Sequence, residues 1–173
     1  MMKKRLNALE VALENEHRER EFYIENARRT KNPLGKAMFK QIAEDELEHY
    51  ERLKELHKQW KKDEKWPDTV QLAVNKSPVR DLFKKTAGGK GDLPPGDDDD
   101  LKAIRTAIDF EAKGIQHYAD LRDGSSDTQE RNFFDLLSTM EREHFLSLKD
   151  SEEFLTDPVS WYRRTESPGL DGA

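Results

Sequence analysis

The chain has 173 residues, enough for one domain with a substantial core. A net charge of −6 leaves no basic footprint for nucleic acid, and the absence of cysteine excludes a disulfide, an iron–sulfur cluster and a four-cysteine iron site of the rubredoxin type. Hydrophobic residues make up 34% of the chain and charged residues 38%, a balance that suits helices with one apolar stripe and a solvated outer face, so periodicity has to decide between helices and disorder.

The opening MMKKRLNALE is basic but is not followed by an apolar stretch, which argues against a secretory signal. No apolar run approaches membrane-spanning length, and the plain expectation is a soluble cytoplasmic protein that meets neither membrane nor nucleic acid. Leu6, Leu9, Leu13, Glu16, Arg20, Tyr23 and Ala27 follow alternating steps of three and four, the seam of a first amphipathic helix. Asn32 is placed to cap a second helix, with Pro33 at its first position, and the seam continues through Phe39, Ile42, Glu46, His49, Leu53, Leu56 and Trp60. Residues 61–97 read as a long crossover. Within it, Ser77-Pro78 opens a short helix to about Lys85, while Gly88-Gly89 and Pro94-Pro95-Gly96 interrupt the chain.

The acidic run Asp97 to Asp100 suits the positive end of a third helix, whose seam is Leu101, Ile104, Ile108, Glu111, Ile115 and Tyr118. Asp127 caps a fourth, with Phe134, Leu137, Glu141, His144 and Leu148 on its seam. In the C-terminal extension, about 154–173, Asp157-Pro158 starts a short helix carrying Trp161 and Tyr162, expected to dock on the bundle. Short connections make helices one and two, and three and four, antiparallel hairpins, and residues 1–173 are expected to form a single domain.

One repeat dominates this pattern. Glu16, Glu46 and His49 recur as Glu111, Glu141 and His144, each 95 positions later, and the same shift relates Leu9 to Ile104, Tyr23 to Tyr118, Asn32 to Asp127 and Phe39 to Phe134. The chain therefore carries a seam Glu followed by a Glu-x-x-His pair twice, on two pseudo-symmetric hairpins. The three-residue step puts both members of each pair on one side of the helix. Burying one ionised carboxylate costs several kcal/mol, and four in one core require compensation. Two divalent cations supply it, because four negative charges and four positive charges cancel. Carboxylate and imidazole donors without thiolate suit iron or manganese.

Other seam residues remain open at this level. Tyr23 and Tyr118 stand two turns after Glu16 and Glu111. Each either packs with its hydroxyl hydrogen-bonded or orients a metal-bound carboxylate and supplies a proton or electron. Glu19 lies one turn beyond Glu16, where the second half has Gly114, and reads either as a surface residue or as a seventh ligand. Arg20 on the seam either reaches the bundle end or pairs with an acid, and His17, His57 and His117 lie off the seams and receive no role.

The segments ALENEHREREFY with FKQIAEDELEHYERL, and AIDFEAKGIQHY with FFDLLSTMEREHFLSL, resemble the ferritin-like superfamily and, within it, the rubrerythrin family. The resemblance covers roughly residues 5–60 and 100–155, and the closing DPVSWYRRTESPGLDGA is similar to the tail of short rubrerythrin-like proteins. It implies an all-α, ferritin-like four-helix bundle with a non-haem di-iron centre. The implied ligands are Glu16, Glu46, His49, Glu111, Glu141 and His144, two of the glutamates bridging, with manganese or zinc as substitute metals. It also implies reduction of hydrogen peroxide. Some members carry an additional Glu that exchanges with a His as the iron changes oxidation state. Glu19 is the candidate for that residue by pseudo-symmetry, on the opposite hairpin from the usual one. The chain departs from the family pattern in lacking a rubredoxin-like domain, so electrons are expected from a separate rubredoxin-like protein or a small reductant.

Three functional readings follow: a peroxide-reducing di-iron oxidoreductase, a ferroxidase or iron-handling protein that uses O₂, and a metal-stabilised interaction module without turnover. The third would use Trp60, Trp66, Trp161 and Tyr162 as an apolar patch, although docking of the crossover and tail explains these residues more simply. A homodimer is the expected assembly.

Overall fold

The computed structural model describes residues 2–63, 78, 81, 82, 85 and 96–165. Among these, α1 spans Met2–Arg29, α2 Pro33–Asp63, α3 Asp98–Asp123, α4 Thr128–Thr156 and α5 Pro158–Thr165. Trp66, the Gly88-Gly89 and Pro94-Pro95 breaks, most of the expected 77–85 helix, the side chain of Tyr162 and residues 166–173 lie outside the described residues.

The helix starts come from local chemistry. Asn32 Oδ1 accepts from the backbone N–H groups of Leu34 at 3.0 Å and Gly35 at 3.2 Å, two of the donors that a helix start leaves without partners. Asp127 does the same for α4 through Gln129 and Glu130, at 2.9 and 3.0 Å. Asp97 caps α3 through the Asp100 N–H at 2.7 Å, and Asp157 caps α5 through that of Ser160 at 3.0 Å. Asn32, Asp127 and Asp157 stand as caps where the sequence puts them, and the cap of α3 is the first residue of the acidic run expected at its start.

Helix α1 packs along α2, and α3 along α4, as two hairpins. Contacts between the hairpins set their mutual direction. Tyr23 reaches Glu111 and Tyr118 reaches Glu16, so α1 and α3 run antiparallel; Asp45 reaches His144 and Met38 reaches Ser151, so α2 and α4 do too. It follows that α2 and α3 run parallel, which puts the end of α2 and the start of α3 at opposite ends of the bundle. This is the separation that a long crossover has to span. Arg29 donates to the Asp99 carbonyl at 3.0 Å and Gly96 N–H to the Leu155 carbonyl at 2.9 Å, fastening the entry to α3. The result is an all-α four-helix bundle, with the short helix α5 after it among the described residues.

Two apolar clusters fill the interior. One gathers Tyr23, Met38, Phe39, Ile42, Ile104, Ala107, Leu148 and Phe154, and Leu82 and Trp161 pack against it. The other gathers Leu9, Ala12, Leu53, Leu56, Trp60, Tyr118, Phe133, Phe134 and Leu137. Trp60 is thus a core residue, and Trp161 sits edge-on to Phe154 at 5.3 Å. Trp60 is committed to the core, and Trp161, partly buried, is docked against it.

The seam of α2 matches the expected residues throughout, since Phe39, Ile42, Glu46, His49, Leu53, Leu56 and Trp60 are all buried. The seam of α1 is a correction. Its buried line is Leu9, Ala12, Glu16, Glu19, Tyr23, Asn26 and Thr30, while Leu13, Arg20 and Ala27 are half-buried beside it. From Glu16, a step of three and a step of four lie about 100° apart around the helix, and both satisfy the alternating pattern. The arrangement of neighbours selects the step of three. Arg20 and Ala27 face the outer groove shared with Lys36, Lys40 and Leu47 of α2, and Arg20 pairs with Glu21 at 3.3 Å.

Candidate metal centre

Between the two apolar clusters lies a polar layer made of the repeated residues. Glu16, Glu46, His49, Glu111, Glu141 and His144 are each at most 3% exposed. They divide into two overlapping sets. Ligand-type atoms of Glu16, Glu46, His49 and Glu141 lie within 4.8 Å of one another, and so do those of Glu46, Glu111, Glu141 and His144. Glu46 and Glu141, the acidic members of the two Glu-x-x-His pairs, belong to both.

His49 Nδ1 is 3.2 Å from carboxylate oxygens of Glu16 and Glu46 and 3.4 Å from Glu141. His144 Nδ1 is 3.4 Å from Glu46, 3.5 Å from Glu111 and 3.9 Å from Glu141. The imidazole rings stack at 5.8 Å, one over each set.

Several of these atoms have no hydrogen-bond partner among the described residues: Glu46 Oε1, Glu111 Oε2, both oxygens of Glu141, and His144 Nδ1. A buried polar atom left without a partner costs on the order of 1–3 kcal/mol, more for a charged group, so such a cluster of inward-facing acceptors is what a cation would satisfy. The donors are oxygen and imidazole nitrogen only. Each set therefore offers the donors that a metal ion needs.

Electrostatics point the same way. Burial, reinforced by the charge of Glu46, pushes Glu16 up to about 7. Burial followed by the charge of Glu141 pushes Glu111 up. For Glu46 burial and the charge of Glu141 work against the charged form, but the neighbouring imidazoles of His144 and His49 outweigh them and hold the group below its ordinary range. Burial also disfavours charge on both histidines. The carboxylates overcome this and raise them, Glu141 first for His49 and Glu111 first for His144. Without metal, then, shared protons hold the layer together, and a metal has to displace them.

The tyrosine hydroxyls are committed across the bundle. Tyr23 donates to Glu111 Oε1 and Tyr118 to Glu16 Oε1, so each fastens the seam glutamate of the opposite hairpin rather than the one on its own helix. Both hydroxyl pKa values are raised well above normal, by burial first and then by the neighbouring carboxylate. Each tyrosine at once packs in the core and orients a carboxylate.

Glu19 is buried, at 5% exposure, and is no surface residue. Burial, with added repulsion from Glu46, Glu141 and Glu16, pushes it up to about 9. Its counterpart Gly114 also has a structural reason, because a Cβ there would stand 3.3 Å from both Cγ and Cδ of Glu141. Gly114→Ala should therefore displace Glu141 and lower metal affinity, even though alanine favours the helix by up to ~1 kcal/mol. Metal titration paired with a melting curve of the metal-free variant checks this, the expected pattern being weaker binding without lost stability.

Sequence reasoning missed Asp45. Its Oδ2 accepts from His144 Nε2 at 3.1 Å, across the interface between α2 and α4. No local spacing links residues 99 positions apart, so only its place directly before Glu46 could have drawn notice. His17, His57 and His117 stay outside the layer, and His57 faces Glu10 at 3.2 Å.

A four-helix bundle with two overlapping carboxylate–histidine sets closed inside it defines a ferritin-like metal-binding protein. The family model for Rubrerythrin matches residues 7–151, and the chain belongs to the rubrerythrin family. No curated protein and no solved structure matches the chain significantly. Among the described residues, no helix is long and apolar enough to cross a membrane.

Proposed function

We propose that this protein reduces hydrogen peroxide at a di-iron centre held by Glu16, Glu46, His49, Glu111, Glu141 and His144, drawing electrons from an external donor. The observation that carries the reading is the pair of buried ligand sets sharing Glu46 and Glu141. Two ferrous ions held there would supply the two electrons that cleave the O–O bond, and Lewis acidity for the oxygen charge that develops.

The chain's own residues account for the rest. The overall reaction, H₂O₂ + 2 e⁻ + 2 H⁺ → 2 H₂O, consumes protons inside a layer closed to water by the two apolar clusters. Glu19, held up to about 9, keeps a proton at neutral pH beside Glu16, Glu46 and Glu141. Burial is the largest cause and persists whatever the carboxylates hold. Tyr23 and Tyr118 pin Glu111 and Glu16 from across the bundle and keep the donor atoms in place through turnover. A small uncharged oxidant suits such a closed layer better than the passage of many iron ions, which iron storage would require.

Rapid mixing of the ferrous-loaded protein with hydrogen peroxide and, separately, with O₂ tests the proposal. Peroxide should oxidise the protein faster. Glu19→Gln should still bind two metals but react more slowly with peroxide. Oxidation much faster by O₂, with turnover beyond two irons per chain, would replace this reading with ferroxidase activity.

A further inference from the structure

The two halves of the centre are not equivalent. Asp45 Oδ1 accepts from Gln41 Nε2 at 3.0 Å, one turn earlier on α2, and Oδ2 accepts from His144 Nε2 at 3.1 Å. Gln41 thus orients Asp45, and Asp45 orients His144. The 95-residue shift maps Asp45 onto Met140, whose thioether cannot replace a carboxylate as acceptor. His49 Nε2 is correspondingly buried with no hydrogen-bond partner among the described residues.

The consequence follows from imidazole chemistry. A carboxylate that accepts from Nε2 keeps the proton on that nitrogen, leaves the Nδ1 lone pair facing the ligand set, fixes the ring and raises the basicity of Nδ1. His144 has this support and His49 lacks it. The Asp45 side chain is only 12% exposed, so solvent competes little for its bond to His144.

We propose that Asp45 makes the two metal positions unequal, so that the position formed by Glu111 and His144 with the shared Glu46 and Glu141 fills first and holds its ion more tightly than the position formed by Glu16 and His49. The inference rests on the two-metal reading above. Asp45 acts as a positioning residue through His144. The weaker position is then the one that exchanges metal and opens most readily to a small ligand.

Anaerobic titration of the metal-free protein with Co(II), followed by visible absorption and calorimetry, separates the possibilities. The wild type should bind in two steps of one equivalent each, with dissociation constants about 10-fold or more apart. Asp45→Ala should weaken the first step by roughly 10–100-fold and leave the second nearly unchanged. Asp45→Asn, whose amide oxygen can still accept from His144 Nε2, should recover most of that loss. His49→Gln should keep the tight step and His144→Gln should lose it. A single step of two equal equivalents in the wild type overturns the inference but leaves the two-metal reading standing. So does an unchanged first step in Asp45→Ala, or equal weakening of both steps with Asn no better than Ala. Fewer than two equivalents in the wild type overturns both.

Discussion

Metal-free protein should lose stability as the pH rises from about 5.5 to about 8, its melting temperature falling by on the order of 10 °C, and loading with ferrous iron should reverse the loss. In the folded chain Glu16 and Glu19 keep their protons up to about 7 and about 9, whereas an unfolded glutamate releases its proton near 4.5. Between those limits the folded state binds more protons than the unfolded one, so the stability falls with rising pH. The histidines act in the same direction. Their contribution is complete below 6.5 and is lost as the pH rises through their raised folded values. Glu46 is held low, so its contribution is present throughout this range and is lost only on stronger acidification.

Each pKa unit is worth about 1.4 kcal/mol, which makes the combined effect of the two glutamates on the order of 5 kcal/mol over this span. Bound cations stabilise only the folded state and displace the protons of the ligand residues, Glu16 among them, so their binding and the gain in melting temperature on loading should grow with pH. Melting curves with and without metal across that range measure both effects. A metal-free protein that grows more stable towards pH 8 would show that the six residues do not share a desolvated layer. Glu19→Gln should flatten the slope, since glutamine has no proton to release.

Loss of either shared glutamate should abolish binding at both metal positions, whereas loss of an unshared one should spare one of them. Glu46 and Glu141 belong to both ligand sets, while Glu16 and Glu111 each belong to one. Glu46→Ala or Glu141→Ala should bind less than a tenth of the wild-type metal at micromolar iron, because each position retains only three of its four side chains. Glu111→Ala should retain close to one equivalent, in the Glu16–His49 position. All three variants should remain helical, since removing a buried carboxylate also relieves repulsion among those left. Metal analysis after anaerobic loading, with circular dichroism, tests the pattern. Equal losses in the Glu46→Ala and Glu111→Ala proteins would argue against shared ligands.

Much of this molecule is written in local chemistry. Helix starts follow from single residues such as Asn32 and Asp127, whose side chains bond to N–H groups only two or three positions away. The Glu-x-x-His pairs are equally local, because a three-residue step on a helix sets both side chains on one face. Their recurrence after 95 positions, on stripes otherwise apolar, is enough to indicate a buried charged layer and hence a compensating cation. The sequence by itself therefore determines the helices, the hairpins and the six residues of the candidate centre.

What the tertiary structure decided are the facts that depend on which helix lies beside which. Glu19 and Arg20 both satisfy the periodic pattern of α1, and only the positions of the neighbouring helices turn Glu19 inward and Arg20 towards the outer groove. Tyr23 and Tyr118 follow Glu16 and Glu111 by two turns, yet each bonds to the glutamate of the other hairpin, because antiparallel packing of α1 and α3 brings residue 23 level with 111 and 118 level with 16. Asp45 meets His144 for the same kind of reason, across α2 and α4. Periodicity records the angle of a side chain around its own helix. The partner that side chain meets is set by the direction and axial offset of a second helix, which the first helix's own sequence does not contain.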